Sequence, residues 1–247
     1  MVSREAKMKY ILKATFLISF SIAILCLYSC SSSPFGIEFG NTELQDEFNY
    51  ENITSIDMDL AHFSVIITGE DSATDVLGQV YAYTTDSFTH QIDEETKTLY
   101  IKVVERNLWS IGADDSPRFI LTIPHLSSVT AVSSSGHISI ENISGAMNIK
   151  TQSGHVILDL IEGTLSIETV SGNQNGTDIT VAGNSEFSSE SGHIILDFTN
   201  PLSDFSFDTE ARSGLIRIGE NVGYRLLLGD GAINITGNTV SGNQEYK

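Results

Sequence analysis

The clearest pattern along the chain is a block of nine residues that occurs four times in succession between positions 137 and 172. The second and fourth residues of each block are apolar, the fifth is charged and the ninth is glycine. Apolar residues two positions apart are typical of a half-buried β-strand, whereas an amphipathic helix requires spacings of three and four. We therefore predict one short strand per block, closed by a turn in which the glycine adopts a positive φ. The apolar pairs are Ile138 and Ile140, Met147 and Ile149, Val156 and Leu158, and Leu165 and Ile167, and the glycines are Gly145, Gly154, Gly163 and Gly172.

Two blocks together form a longer repeat, which is marked by Ser-Gly pairs. These pairs end at Gly136, Gly154, Gly172, Gly192 and Gly214, with separations of 18, 18, 20 and 22 residues. One block cannot bury its own apolar face, but stacked blocks can, so the repeat predicts an all-β solenoid. We expect a single-stranded, right-handed β-helix with rungs of about 18 residues, each made of two strand-turn units. Extra residues are expected near 173–178 and 200–203, and a two-sided and a three-sided coil both remain open.

The rest of the chain divides around these regular repeats, which we expect over 128–237. Looser strands are predicted upstream, over 53–64, 65–68, 76–83, 99–104 and 118–123, with a turn at 85–90. The predicted organisation is a signal peptide over 1–29, a tether over 30–49, a β-solenoid over 50–240, whose looser rungs span 50–127, and a tail over 241–247. The strand near 233–235 is expected to lie at an open edge of the coil.

The first 29 residues predict a lipoprotein signal peptide. Four basic residues precede an uncharged apolar run over 14–27, which is shorter than the ~20 residues of a membrane span. The run ends in Leu-Tyr-Ser-Cys, which resembles the lipobox of bacterial lipoproteins. The resemblance implies export, lipid attachment at Cys30 and, because Ser31 follows the cysteine, an outer-membrane position in the cell envelope. An ordinary secretory signal or an N-terminal anchor helix, with Cys30 incidental, is the alternative.

The net charge of the chain limits the classes of partner that it can bind. The formal net charge is −19. Removal of residues 1–29 takes away four basic residues and one acid, which changes this charge to −22. Such a surface repels phosphate backbones and anionic lipid headgroups, so nucleic acid is excluded as a partner. Contact with a membrane is therefore expected through the lipid on Cys30 alone.

The start of the regular repeats resembles a known family. The stretch LTIPHLSSVTAVSSSGHISIENISG at 121–145, preceded by the strand LYIKV at 99–103, is similar to the "putative adhesin" family of bacterial β-solenoids. The hydrophobic-Pro pair Ile123-Pro124 and the repeated Ser-Gly steps carry the likeness, which covers roughly residues 50–240. It implies a solenoid with a non-catalytic binding role and a protein or glycan partner. Many members carry Asp after the Ser-Gly step, where this chain has His or Leu.

The strongest candidate constellation is a column of histidines. His137 and His155 follow equivalent Ser-Gly corners, so stacked rungs place one above the other, and His193 occupies the same position in a later rung. A shared zinc or copper ion needs further ligands, and the carboxylates on these strands lie four positions away, or ~13 Å. We interpret the column as a polar corner stack and predict no metal site. Trp109, in an Asp- and Gly-containing segment between strands, is a further surface candidate.

No motif in the sequence indicates catalysis or a cofactor. The chain has no Gly-x-Ser-x-Gly elbow, and its acidic clusters lack the spacing of calcium loops. We therefore predict a lipid-anchored, non-catalytic binding or scaffold module of the cell envelope. The alternatives are an envelope-maintenance or stress-linked structural protein without a dedicated ligand, or a polysaccharide-active β-helix enzyme.

Overall fold

The computed structural model describes residues 42–104, 116–125 and 127–247. These residues form β-strands joined by turns, with one short 3-10 turn at Leu202–Asp204. The first strands are β1 (Glu43–Glu51), β2 (Ser55–Asp59), β3 (Ser64–Glu70), β4 (Asp75–Ala82), β5 (Ser87–Asp93), β6 (Thr98–Val104) and β7 (Arg118–Pro124). The middle strands are β8 (Ser128–Ser133), β9 (Ile138–Ser144), β10 (Met147–Thr151), β11 (Val156–Gly163), β12 (Leu165–Thr169), β13 (Gln174–Val181), β14 (Ser185–Ser189) and β15 (Ile194–Phe198). The last are β16 (Phe205–Ala211), β17 (Ile216–Ile218), β18 (Asn221–Gly223), β19 (Arg225–Leu228), β20 (Ile233–Thr239) and β21 (Gln244–Tyr246).

The described strands are arranged in two sheets. Sheet A contains eleven strands in the order β1-β4-β7-β3-β9-β11-β13-β15-β21-β17-β18. Sheet B contains ten strands in the order β19-β16-β20-β14-β12-β10-β8-β2-β6-β5. From β8 to β15 the chain alternates between sheet B and sheet A, so each rung has one strand in each sheet and the coil has two sides.

The regular rungs confirm the predicted 18-residue period. Met147 pairs with Leu165 in sheet B and Val156 pairs with Gln174 in sheet A, in parallel register and 18 residues apart. From β8 onward, the turn from a sheet-B strand to the following sheet-A strand has the same length in six rungs, and we call it the constant corner. It spans 133–138, 151–156, 169–174, 189–194, 211–216 and 239–244. The turn that returns from sheet A to sheet B differs between rungs and is called the variable corner.

The rung order differs from the chain order at the C-terminal end. Strand β20 lies between β14 and β16, and β21 lies between β15 and β17, so the last rung of the chain is inserted one place inside the stack. The strand near 233–235 is therefore central and not an edge, and the predicted tail contains β21. Tyr246 is fully buried against Phe198 and Phe207, and burial raises the pKa of its hydroxyl. The buried ring explains why these last residues are held inside the sheet.

The N-terminal end shows the same rearrangement. Strands β2 and β3 lie between the rung β6–β7 and the rung β8–β9. The antiparallel strands β1 and β4 then extend sheet A, and β5 extends sheet B. Residues 43–49, predicted as tether, therefore belong to β1, and residues 87–90, predicted as turn, begin β5. The sequence signal was weak because these strands lie on only partly buried ends of the sheets.

The interior is filled by columns of apolar side chains that repeat with the rungs. The two predicted columns are buried, and a third follows at Ile143, Ile161 and Ile179. This third column requires a bulge, because the preceding residue shifts the alternation by one position. That residue has positive φ in three rungs, at Asn142 (56°), Leu160 (53°) and Asp178 (53°).

Two predicted details of the turns are wrong. The glycines of the constant corner do not have positive φ. The extra residues of the 20-residue rung do not lie at 173–178, because β13 keeps its 18-residue register with β11 as far as Val181. They lie in the variable corner at 182–184, just before β14. Among the described residues, no helix is long and apolar enough to cross a membrane.

Candidate functional site

Glycine is required at the constant corner by close packing between rungs. A Cβ on Gly154 would overlap the carbonyl oxygen of Gly136, and a Cβ on Gly172 would overlap that of Gly154. The same contact joins Gly192 to Gly172, Gly242 to Gly192 and Gly214 to Gly242. The stack therefore includes Gly242, which the sequence analysis did not place in the repeat, between Gly192 and Gly214. The corner backbones approach so closely that only a residue without a side chain fits.

A buried hydroxyl three residues before each of five glycines holds the corner. The hydroxyls of Ser133, Thr151 and Ser189 accept the glycine N–H, at 2.7–2.9 Å. Thr169 and Thr239 instead donate to the glycine carbonyl at 2.8 Å. The difference follows from the next strand, because Gln174 and Gln244 donate to these two threonines. A hydroxyl that already accepts from a glutamine can direct its proton to the carbonyl.

The predicted histidine column forms a ladder of hydrogen bonds, which we call the corner ladder. The backbone N–H of His155 donates to Nδ1 of His137 at 3.0 Å, and the N–H of Asn173 donates to Nδ1 of His155 at 3.0 Å. The N–H of His193 then donates to Oδ1 of Asn173 at 2.9 Å. The ladder continues through Nδ1 of His193 to the N–H of Asn243 at 3.0 Å, and through Oδ1 of Asn243 to the N–H of Leu215 at 2.9 Å. Each side chain thus accepts a hydrogen bond from the backbone N–H of the neighbouring rung.

The geometry of the column does not bring ring nitrogens together on one ion. The rings of His137 and His155 are parallel to within 1°, and their centroids are 5.0 Å apart. Both Nδ1 atoms already accept backbone N–H groups, and the parallel rings direct their Nε2 atoms the same way. Over 42–104, 116–125 and 127–247, no group of three or more His, Cys, Asp or Glu side chains is arranged to hold a metal. His137 and His193 are exposed and His155 is half-buried.

The outer face of sheet A carries an unusual row of isoleucines next to the ladder. Ile66, Ile157 and Ile195 point outward and are 42%, 47% and 37% exposed. They belong to one row across the sheet, because Ser139 pairs with both Ile66 and Ile157, and Asn175 pairs with both Ile157 and Ile195. We call this set the isoleucine row. It lies two residues from the corner ladder on each strand, on the same face.

Carboxylates follow on the other side of the isoleucine row. Glu141, Asp159 and Asp197 occupy the next outward position along β9, β11 and β15. The outer face of sheet A therefore has three parallel rows. Imidazoles and amides come first, then isoleucines that alternate with Ser139 and Asn175, then carboxylates that alternate with Thr68 and Thr177. The alternation of the sequence predicts that these residues point outward, but the isoleucines were not recognised because isoleucine is common in any strand.

The corresponding row on the outer face of sheet B is polar from β2 to β16 and ends in the exposed Tyr100 and Leu227. Neighbouring strands place polar residues side by side from β2 to β16. The row contains Asp57, Thr130, Asn148, Ser166, Glu186, Thr236 and Asp208. Exposed aliphatic residues do occur elsewhere on this sheet, such as Val132, which is 45% exposed. The apolar row is thus a property of sheet A and not of the repeat as a whole.

A second polar constellation lies where β1 and β5 meet at the N-terminal end. Nε2 of His90 donates to the Asp46 carboxylate at 2.9 Å, and the Tyr50 hydroxyl donates to Nδ1 of His90 at 2.6 Å. The Phe48 ring stacks on the imidazole with centroids 4.3 Å apart. Burial raises the pKa of the Tyr50 phenol, and the Asp46 charge adds to this. The phenol therefore remains a hydrogen-bond donor, and the triad joins the edge strands of the two sheets. No local sequence pattern indicates this triad, because residues 46–49 are predicted as part of the tether.

The remaining predicted residues lie outside the described part of the chain. Cys30, proposed for lipid attachment, and Trp109, proposed as a surface anchor, both fall there.

Comparisons with known proteins match the regular rungs. Residues 125–225 match the model of a family described as Toastrack DUF4097. Three similar solved structures are each 12% identical to this chain. A "putative cell adhesion protein" of Clostridium sporogenes has a TM-score of 0.48 over 82% of this chain and 99% of its own. A "putative adhesin" of Bacteroides fragilis has a TM-score of 0.42 over 85% and 100%, and another of Parabacteroides merdae has 0.30 over 84% and 97%. No curated protein matches the sequence.

Proposed function

We propose that this protein is a non-catalytic binding module of the cell envelope and that it binds its partner through the outer face of sheet A. The observation that carries the proposal is the isoleucine row, in which Ile66, Ile157 and Ile195 alternate with Ser139 and Asn175 across parallel strands of sheet A and expose aliphatic surface. When a partner covers exposed, aligned aliphatic groups, the free energy falls because apolar surface leaves water. The polar row of sheet B offers no equivalent gain.

The neighbouring charges define the chemistry of the partner. Glu141, Asp159 and Asp197 border the isoleucine row, and the whole chain carries a formal charge of −19. A partner that combines apolar and basic side chains complements this face, whereas an acidic partner is repelled. We therefore propose a protein partner that presents alternating apolar and basic residues.

The resemblance of residues 125–225 to toastrack domains supports a coil of this kind. We further propose that a single chain path winds the regular rungs in the right-handed sense, because crossovers between parallel strands are right-handed in nearly all proteins. Export and lipid attachment at Cys30 complete the proposal, supported by the basic, apolar and Leu-Tyr-Ser-Cys segments of the N-terminus.

Three defined peptides test the binding face. One alternates Leu and Lys, one alternates Ser and Lys, and one alternates Leu and Glu. We expect the protein to bind the Leu-Lys peptide most tightly, and Ile157→Ser with Ile195→Ser to weaken this binding by about tenfold. Val132→Ser, which removes a similarly exposed aliphatic residue from sheet B, is the matched control and leaves binding within about twofold. Fluorescence anisotropy measures the affinities. Equal binding of all three peptides, or unchanged binding by the double variant, would overturn the proposal.

Attachment and location are tested separately in the producing cells. Metabolic labelling with a palmitate analogue is expected to mark the protein, and Cys30→Ala is expected to abolish the label. Protease treatment of intact cells then distinguishes the two envelope roles. Loss of the protein from intact cells supports an adhesin-like role at the surface. Protection until the membrane is permeabilised instead supports a structural role in the periplasm.

A further inference from the structure

The corner ladder depends on the protonation state of its histidines. In the pairs His137–His155, His155–Asn173 and His193–Asn243, the first residue accepts a backbone N–H at Nδ1. An imidazole that accepts at Nδ1 carries its single proton on Nε2. The structure thus requires the neutral Nε2–H form at three positions of one column.

We propose that the corner ladder is an acid-sensitive device, in which protonation of His137, His155 and His193 breaks the hydrogen bonds that join successive rungs. The protonated imidazole donates from both nitrogens, so Nδ1–H would face the N–H of the next rung and two donors would oppose each other. The backbone N–H then loses its acceptor at each of the three steps.

The stacked pair strengthens this effect. His137 and His155 are parallel with centroids 5.0 Å apart, so two imidazolium charges at this distance repel each other. The residues that complete the column are the hydroxyl of Ser64 below His137 and the amides of Asn173 and Asn243, and none of these carries a charge.

Among the described residues, the carboxylates around the column form no ion pair with its histidines. Glu141, Asp159 and Asp197 lie four positions along the strands, beyond the isoleucine row. Glu190 precedes His193 in its corner, and Glu245 lies in the strand beside Ile195. Within the described residues, none of the three ladder histidines forms an ion pair.

The other three histidines that the structure describes each lie near a carboxylate. His90 contacts Asp46 at 2.9 Å, His125 lies 3.7 Å from Asp71, and His62 lies 4.0 Å from Asp86. A carboxylate neighbour favours the protonated imidazole. These contacts differ from those of the ladder, so a test must isolate the ladder by comparing variants.

The chain contains its own control for the substitution. Asn173 and Asn243 occupy the same column and accept the next N–H through Oδ1, at 2.9 Å, with no proton to gain. A variant with His137→Asn, His155→Asn and His193→Asn keeps an acceptor at every step and removes the titration. Because each ladder Nδ1 is occupied by a backbone N–H, the proposal expects acidification to lower the free energy of unfolding of the wild type more than that of the triple variant.

Urea unfolding of the full chain between about pH 8 and pH 5 tests the proposal. We expect the unfolding constant of the wild type to rise at least about tenfold more than that of the triple variant. His62→Asn, which lies outside the ladder, serves as the control. Introduced into both proteins, it leaves the difference in pH dependence between the wild type and the triple variant unchanged. Parallel pH dependences of the wild type and the triple variant would overturn the proposal.

A second measurement does not depend on the folding of any variant. The ¹⁵N chemical shifts of the imidazoles in the wild type distinguish the two neutral forms. At about pH 8 we expect His137, His155 and His193 to carry hydrogen on Nε2 only. Detection of Nδ1–H at these residues would contradict the ladder directly.

Discussion

The two corners of each rung reverse the chain by different means. The constant corner has the same length in six rungs and combines a glycine stack, a column of buried hydroxyls and the corner ladder. The variable corner ranges from a single residue between β11 and β12 to an excursion that contains β18 and β19. At the constant corner the same contacts recur from rung to rung, whereas at the variable corner contacts such as that of Gly163 with Gly145 occur beside turns of different length.

The difference shows where this coil accepts new sequence. An added residue at the constant corner would displace a glycine, a hydroxyl and a ladder residue from their columns together. It would break the buried hydroxyl contact and the ladder hydrogen bond, and it would bring a side chain into the glycine stack. An added residue at the variable corner lengthens a surface turn, at a small cost in loop entropy. The insertion at 182–184 and the 3-10 turn at Leu202–Asp204 both lie there.

The largest expected effect comes from adding a methyl group at the constant corner. Gly172→Ala places a Cβ on the carbonyl oxygen of Gly154, so two rungs must separate. We expect a loss of about 3 kcal/mol or more in the free energy of unfolding. Urea unfolding followed by circular dichroism measures it.

Gly183→Ala makes the same chemical change at the variable corner. Its Cβ meets the Thr164 hydroxyl at 2.9 Å, and this side chain can rotate away. The expected change is within about 1 kcal/mol, because alanine also restricts the unfolded chain. Similar losses in the two variants would remove the distinction between the corners.

A smaller effect is expected from removing a hydroxyl. Thr151→Val deletes the acceptor of the Gly154 N–H, which is buried, and should cost about 1–3 kcal/mol. Thr180→Val, near the variable corner, removes an exposed hydroxyl pair with Thr199 and should cost less than about 0.5 kcal/mol. Thermal unfolding at matched pH compares the two. A larger loss in Thr180→Val than in Thr151→Val would contradict the assignment.

The smallest effect is a gain in stability at the bulge before the variable corner. Leu160 has φ of 53° and is 50% exposed, while Asn142 and Asp178 occupy the same position in neighbouring rungs. Leu160→Asn relieves this strain, and we expect a gain of about 1 kcal/mol. Ile157→Asn, at a position of the same strand without positive φ, should cost up to about 1 kcal/mol because asparagine has a lower strand propensity than isoleucine. Destabilisation by Leu160→Asn would show that the leucine makes a contact worth more than the strain.

Much of the candidate site could be predicted from the repeat alone. The period of 18 placed His137 above His155, and the structure has their rings parallel at 5.0 Å. The ladder itself could not be predicted, because Asn243 enters the column between His193 and Leu215 only through the inserted last rung. The isoleucine row could not be predicted for a different reason. An outward isoleucine and an inward one have the same propensity for a strand, so propensity does not indicate an exposed apolar row.

The sequence by itself determined the strands, the rung length and the two buried columns of the regular repeats, because period-2 alternation and a fixed spacing of glycines are local properties of the chain. Only the tertiary structure decided the order of the rungs at both ends, because the choice between neighbouring positions depends on packing between distant segments. Tyr246 illustrates this. Its ring needs the space above Gly237 and between Phe198 and Phe207, and no local pattern around residue 246 encodes that space. The role of the glycines was likewise tertiary, since the neighbouring rung, and not the dihedral angle φ, excludes a side chain there.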